Sequence, residues 1–128
     1  MDQRFPREEK LKSNLLIEQL FSEGSSVSKY PLKLIYVKTE PEDDVKVKAG
    51  FSVPKRKFKK AVQRNQIKRL IREAYRLNKS NLFNNLSTSY AFMFLYLGKE
   101  EPDFSELNTT MERLLTRFLK QTQTDENI

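Results

Sequence analysis

The sequence contains no cysteine, no histidine and no tryptophan, and only three of its 128 residues are glycine. Without cysteine there is no disulfide framework and no thiolate nucleophile. Without cysteine and histidine there is no ordinary zinc site, and without histidine no imidazole general base. The usual side chains of hydrolytic catalysis are therefore missing from the chain itself. Long apolar runs are missing too: the longest, Tyr90 to Leu97, is too short to span a bilayer. Met1 to Lys10 carries no apolar h-region, so no signal peptide is expected. These absences point to a cytoplasmic protein with no membrane partner. Hydrophobic residues make up 38% and nine are Phe, enough for the small core of one domain. Order is expected over about residues 8–121, with both ends frayed.

What is abundant is positive charge. The chain holds 24 Lys+Arg against 17 Asp+Glu, a formal net charge of +7. Its distribution says more than its sum. Residues 55–79 hold eleven Lys/Arg and one acid, Glu73, a local charge of +10. The other residues hold 13 basic and 16 acidic side chains, a charge of −3. A solvated helix face mixes signs, because like charges at i,i+4 weaken a helix. A run this one-sided reads instead as a surface for an anionic partner.

Periodicity places the elements. Leu15, Leu16, Leu20 and Phe21 predict a helix over 13–22, with Ser13 as N-cap and Gly24 as stop. Tyr30 to Lys38 is aromatic and β-branched and predicts a strand. Glu40-Pro41-Glu42-Asp43-Asp44 predicts a turn. Val45 to Val53 alternates apolar and polar, a half-buried strand expected to pair with the first as an antiparallel hairpin. Over 61–78 the period becomes helical: Ile67, Leu70, Ile71, Ala74 and Leu77 share one side, and Arg64, Lys68, Arg72 and Arg76 form a row on the other. Residues 78–89 are polar and turn-like. Tyr90 to Leu97 predicts a central strand covered on both faces. Leu107, Met111, Leu114, Leu115, Phe118 and Leu119 predict a last helix capped by Asp103 or Ser105, fraying from Gln121. The order is helix, two or three strands, basic helix, strand, helix, which reads as α+β, a single-domain α-β sandwich.

Cations four residues apart on a helix lie ~6 Å apart along its axis, from a rise of ~1.5 Å per residue. That is close to the phosphate spacing of an extended single strand. Arginine suits such a backbone because its planar fork takes two phosphate oxygens. Lys55, Arg56, Lys57, Lys59 and Lys60 add charge on the approach to the helix. A DNA recognition helix needs polar base-reading residues on its exposed face; this face is nearly all Lys and Arg, so backbone contact fits better and no DNA partner is expected. Tyr90, Phe92, Phe94 and Tyr96 share one strand face. Such a face can stack bases, but for Phe92 and Phe94 the core is the favoured reading. Phe21 and Tyr36 are the candidates for an exposed platform. The acidic clusters Glu42-Asp43-Asp44 and Glu100-Glu101-Asp103 lack ligand spacing and read as solvated loops, so no protein-held metal is expected.

The stretch Phe51-Ser52-Val53-Pro54-Lys55-Arg56, followed by Ala61-Val62-Gln63-Arg64-Asn65-Gln66-Ile67-Lys68-Arg69-Leu70-Ile71-Arg72-Glu73-Ala74-Tyr75-Arg76, resembles the signature of the bacterial ribonuclease P protein component. The resemblance implies a protein cofactor of a catalytic RNA that removes the 5′ leader of precursor tRNA. It implies that Arg64, Asn65, Lys68, Arg69 and Arg72 face that RNA, with Lys55, Arg56 and Lys60 beside RNA or leader; Lys57, Lys59 and Arg76 join the RNA-binding candidates as members of the basic segment. It implies a leader cleft lined by Ile17, Phe21 and Ile35, to which the platform reading adds Tyr36, and the element order α-β-β-β-α-β-α with a left-handed βαβ crossover against the general right-handed rule. Three departures stand out. Gln66 replaces a usual Arg, Ile17 and Ile35 stand where aromatics are frequent, and Lys59-Lys60 replace a common Gly in a loop one residue longer.

The resemblance gives the absent histidine and cysteine a meaning. The chemistry is expected in the RNA, on Mg²⁺ bound mainly by RNA, with no catalytic residue in the chain. Two rivals remain at this point: an RNA-binding module without cleavage, such as a ribosomal protein, and a carboxylate-based metal nuclease.

Overall fold

The computed structural model describes residues 5–40 and 45–126. A short 3₁₀ turn, Arg7–Glu9, precedes helix α1 (Asn14–Glu23) and strands β1 (Ser25–Lys29), β2 (Leu32–Thr39) and β3 (Val47–Ser52). Helix α2 (Ala61–Asn84), strand β4 (Ser89–Tyr96) and helix α3 (Phe104–Glu126) follow. The element order is the expected one. The acidic residues Glu42, Asp43 and Asp44, with most of the turn predicted around them, lie outside the described residues. No helix among the described residues is long and apolar enough to cross a membrane.

Local chemistry sets the element ends. Ser13 caps α1, its Oγ accepting from Leu16 N at 3.3 Å. Asp103 caps α3, accepting from Glu106 N at 3.2 Å. Gly24 closes α1 with its N–H on Leu20 O. A Cβ there would lie 2.3 Å from that oxygen and 2.8 Å from Ile35 Cγ2, so only glycine lets β1 start so close to the helix end.

The sheet order is β1-β2-β4-β3. Strand β2 pairs antiparallel with β1 and β4, and β3 pairs parallel with β4. The expected hairpin between 30–38 and 45–53 is therefore corrected. The hairpin is β1–β2, turning at Tyr30-Pro31, and β4 lies between β2 and β3. The reason is burial. Phe92 and Phe94 are fully buried on one face of β4 while Ala91 and Met93 are buried on the other. Such a strand needs neighbours on both edges, and α2 is the crossover that carries the chain from β3 to the parallel β4.

Helices α2 and α3 cover one face, where Tyr36, Tyr90, Phe92 and Phe118 meet mostly edge to face. Helix α1 covers the other through Leu16, Ile17 and Leu20, packed on Ile35, Val37, Ala91 and Met93. The edge strand β1 is blunted by α3: Arg117 donates to Ser28 O at 2.7 Å and Gln121 to Ser26 O at 3.3 Å.

Helix α2 continues to Asn84, six residues past the predicted end. Its buried face runs Ile67, Ile71, Ala74, Tyr75, Lys79 and Leu82. The charge at Lys79 breaks the apolar pattern. Lys79 is only 2% exposed, and its ammonium lies 2.9 Å from Glu9 Oε1. Leu77, expected inside, is rotated to the surface. Helix α3 likewise runs to Glu126 rather than fraying at Gln121, because Gln121 and the buried Thr122 still make packing and hydrogen-bond contacts. The ordered start also lies earlier than expected: Phe5 packs against Phe51 and Tyr75. The segment from Phe5 to Lys12 is thus a strap, paired on β3 by Leu11 N to Ala49 O at 3.0 Å.

Glu9→Gln leaves the Lys79 charge buried without its carboxylate. It should lower unfolding free energy by about 2 kcal/mol, below the full buried-pair cost because Glu9 keeps some solvent contact. Adding Lys79→Met should restore most of the loss. Urea denaturation of the single and double variants checks both.

Candidate nucleic-acid interface

The loop before α2 is anchored rather than loose. Phe58 is buried and packs on Tyr96, with ring centroids 5.9 Å apart. Its N–H bonds Pro54 O at 3.2 Å. Arg64 then reaches back one turn, donating to Phe58 O at 2.8 Å and Lys59 O at 2.9 Å. Around this apolar pin Lys55, Arg56, Lys57, Lys59 and Lys60 are all exposed. Lys57 also bonds Leu97 O at 3.0 Å, tying the loop to the end of β4.

This loop delivers cations to the wrong end of a helix for stability. The first turn of α2 has no acidic residue and its N-cap, Lys60, makes no side-chain cap bond. Backbone N–H groups and positive dipole face outward there, where an acid would stabilise. Cations at that end cost stability in the isolated protein, and an arriving phosphate relieves the repulsion.

Along α2, Asn65, Arg69 and Arg72 are exposed, and Lys68 and Arg76 are half-buried on the same side of the helix as the exposed row. All of the sequence-predicted interface residues thus lie on one continuous stretch of loop and helix. Lys79 does not belong to it. It supplied one unit of the +10 segment, but its charge is spent inside on Glu9. Arg76 is partly spent as well: it bonds Glu73 at 3.0 Å through Nε and again through a terminal nitrogen. That bond holds the Glu73 carboxyl below the usual carboxylate range and the Arg76 guanidinium above its own. Gln66 is exposed among Lys59, Lys60 and Gln63, off the Arg64 row.

The expected cleft residues divide. Phe21 is 57% exposed on α1. Ile17 and Ile35 are half-buried in the packing of α1 on the sheet. Tyr36 is a correction: it is 5% exposed on the opposite face, against Tyr90 and Phe118, with its hydroxyl bonded by Gln121. Strand parity separates it from Ile35, since neighbours point to opposite faces.

Comparison with known proteins settles the lineage. The family model described as Ribonuclease P matches residues 5–119. The chain belongs to the ribonuclease P protein family. It is 35% identical to the ribonuclease P protein component of Porphyromonas gingivalis over 105 residues, covering 80% of this chain and 77% of the relative. It is 31% identical to that of Chlorobaculum tepidum over 139 aligned positions, covering 96% and 90%. The ribonuclease P protein from Thermotoga maritima superposes with a TM-score of 0.67 at 24% identity, covering 85% of this chain and 96% of that one. It shares the fold.

Ribonuclease P proteins are the protein part of a ribonucleoprotein endoribonuclease, so family membership implies an RNA partner. Charge counting along this sequence missed two cations that the sheet brings to the α1 side. Lys33 and Lys48 have the parity of Ile35 and of Gly50, which faces Met93 and Leu11. Lys48 lies beside Lys10, Lys12 and Ser13. Their alternation was visible, but the face they share depends on the strand order.

Lys68→Ala and Arg69→Ala should each weaken RNA binding and reduce the slope of log affinity against log salt by about one unit or less. Glu73→Gln should act oppositely, freeing Arg76, tightening binding modestly and steepening the slope. Filter-binding titrations across a salt series check all three.

Proposed function

We propose that this chain is the protein subunit of ribonuclease P. It binds the catalytic RNA through α2 and the Lys55–Lys60 loop. It takes the 5′ leader of precursor tRNA along the α1 side of the sheet. The observation that carries this is the pairing of family membership with a helix whose one face is core and whose other face is cationic from its first turn.

In this proposal the RNA and the Mg²⁺ it binds perform the hydrolysis, and the chain makes no bond. No group of three or more Asp or Glu among the described residues is arranged to hold a metal ion. The chain's own residues bind and orient. Cations of α2 lower the repulsion between two polyanions. Phe21, Ile17 and Ile35, with Lys33 and Lys48 nearby, hold a single strand in register against the cleavage site. Fewer aromatics in this cleft make backbone charge the larger share of leader binding. The proposed place of work is the cytoplasm.

Reconstitution with a bacterial ribonuclease P RNA should raise leader cleavage most at low Mg²⁺, where RNA alone is weakest. Equal cleavage with and without the protein would overturn the proposal. Sequencing the RNA that co-purifies with the chain tests the remaining alternative: ribosomal RNA alone would favour a ribosomal binding module.

A further inference from the structure

The arginines of α2 differ in what holds them. Arg64 spends one terminal nitrogen on two carbonyl oxygens, and Arg76 spends two nitrogens on Glu73. Arg72 spends none. Its guanidinium carbon lies over the ring of Phe51, 5.7 Å from the centroid, within the ~6 Å range of a cation–π contact. No carboxylate among the described residues is paired with it. A ring face attracts the cation through its quadrupole and accepts none of its five N–H donors. Arg72 is therefore held in place with its whole fork still available.

The ring beneath it is itself fixed. Phe94 stacks on Phe51 at 5.6 Å with the planes 9° apart. Phe5 and Tyr75 approach it at 5.7 and 6.0 Å with the planes steeply inclined. Phe5 belongs to the strap that Glu9 ties to Lys79. Strand β4, helix α2 and the strap thus converge on one aromatic ring that also carries an exposed arginine.

We propose that Phe51 is a positioning residue for RNA binding, its ring face holding the Arg72 guanidinium poised for a phosphate. This rests on α2 being the RNA-binding face. The contribution is electrostatic, so it follows the electron density of the ring and not its bulk. Preorganisation spares Arg72 part of the rotamer entropy that a free arginine loses on binding.

The test replaces Phe51 by fluorinated phenylalanines of increasing fluorine number. These keep the ring and progressively remove its negative face. Affinity for an in-vitro-transcribed bacterial ribonuclease P RNA is measured with thermal unfolding as the control on folding. The pentafluoro ring should weaken binding about two- to five-fold, as expected for an exposed cation–π contact, with intermediate rings in between. In an Arg72→Ala background the same series should be flat. Phe51→Tyr should bind like the parent, and Phe51→Leu should bind like the pentafluoro variant. A flat series in the parent, with Arg72→Ala still weakening binding, would overturn the role of the ring and leave α2 as the interface. An equal loss in both backgrounds would show that the ring acts through packing and would also overturn it. If Arg72→Ala leaves affinity unchanged, both the positioning role and the place of Arg72 in the interface fall.

Discussion

Strand β4 has no surface of its own, and the rest of the molecule is arranged around that constraint. Its aromatic face needs α2 and α3, its Ala91 and Met93 face needs α1, and each edge needs a strand. Each large apolar side chain buried this way contributes on the order of 2–3 kcal/mol. A single strand with both faces covered thus supports much of a small domain. The constraint explains the odd connectivity. Strands β2 and β3 are neighbours in sequence and not in space, because the place between them is taken by the strand that most needs covering.

The same packing makes the charged face possible. A helix with this many cations on one side would be poor in isolation. Here Ile67, Ile71, Ala74 and Tyr75 hold it down on the sheet, and tertiary burial outweighs the repulsion. The positive charge is then a property of a rigid surface. Phe58 pins the approaching loop, Arg64 ties it to the helix, and cations flank exposed backbone N–H groups at the helix start. An anionic backbone docking on this surface would meet an arrangement already made, which saves part of the ordering cost of binding.

Much of this was legible in the sequence, and the failures share a cause. Helix starts at Ser13 and Asp103, the alternation of β3, the doubly buried β4 and the cationic row all follow from local pattern. What pattern does not show is which strands are neighbours, so alone it favours a hairpin of β2 with β3 and places Tyr36 in one cleft with Ile35. The end of α2 was missed because its core face includes Lys79, whose charge only makes sense once Glu9, seventy residues away, is beside it. Lys33 and Lys48 escaped notice for the same reason: a charge belongs to a surface only when the sheet order is known.

The strap has a consequence for how the chain is made. Phe5 and Glu9 are among the first of the described residues to leave the ribosome, yet their partners Tyr75 and Lys79 lie in the second half of α2. Until that helix has been synthesised, the strap has nowhere to dock. Glu9 must therefore wait for seventy further residues before its ion pair can form, and the strap completes its contacts only once that part of α2 exists.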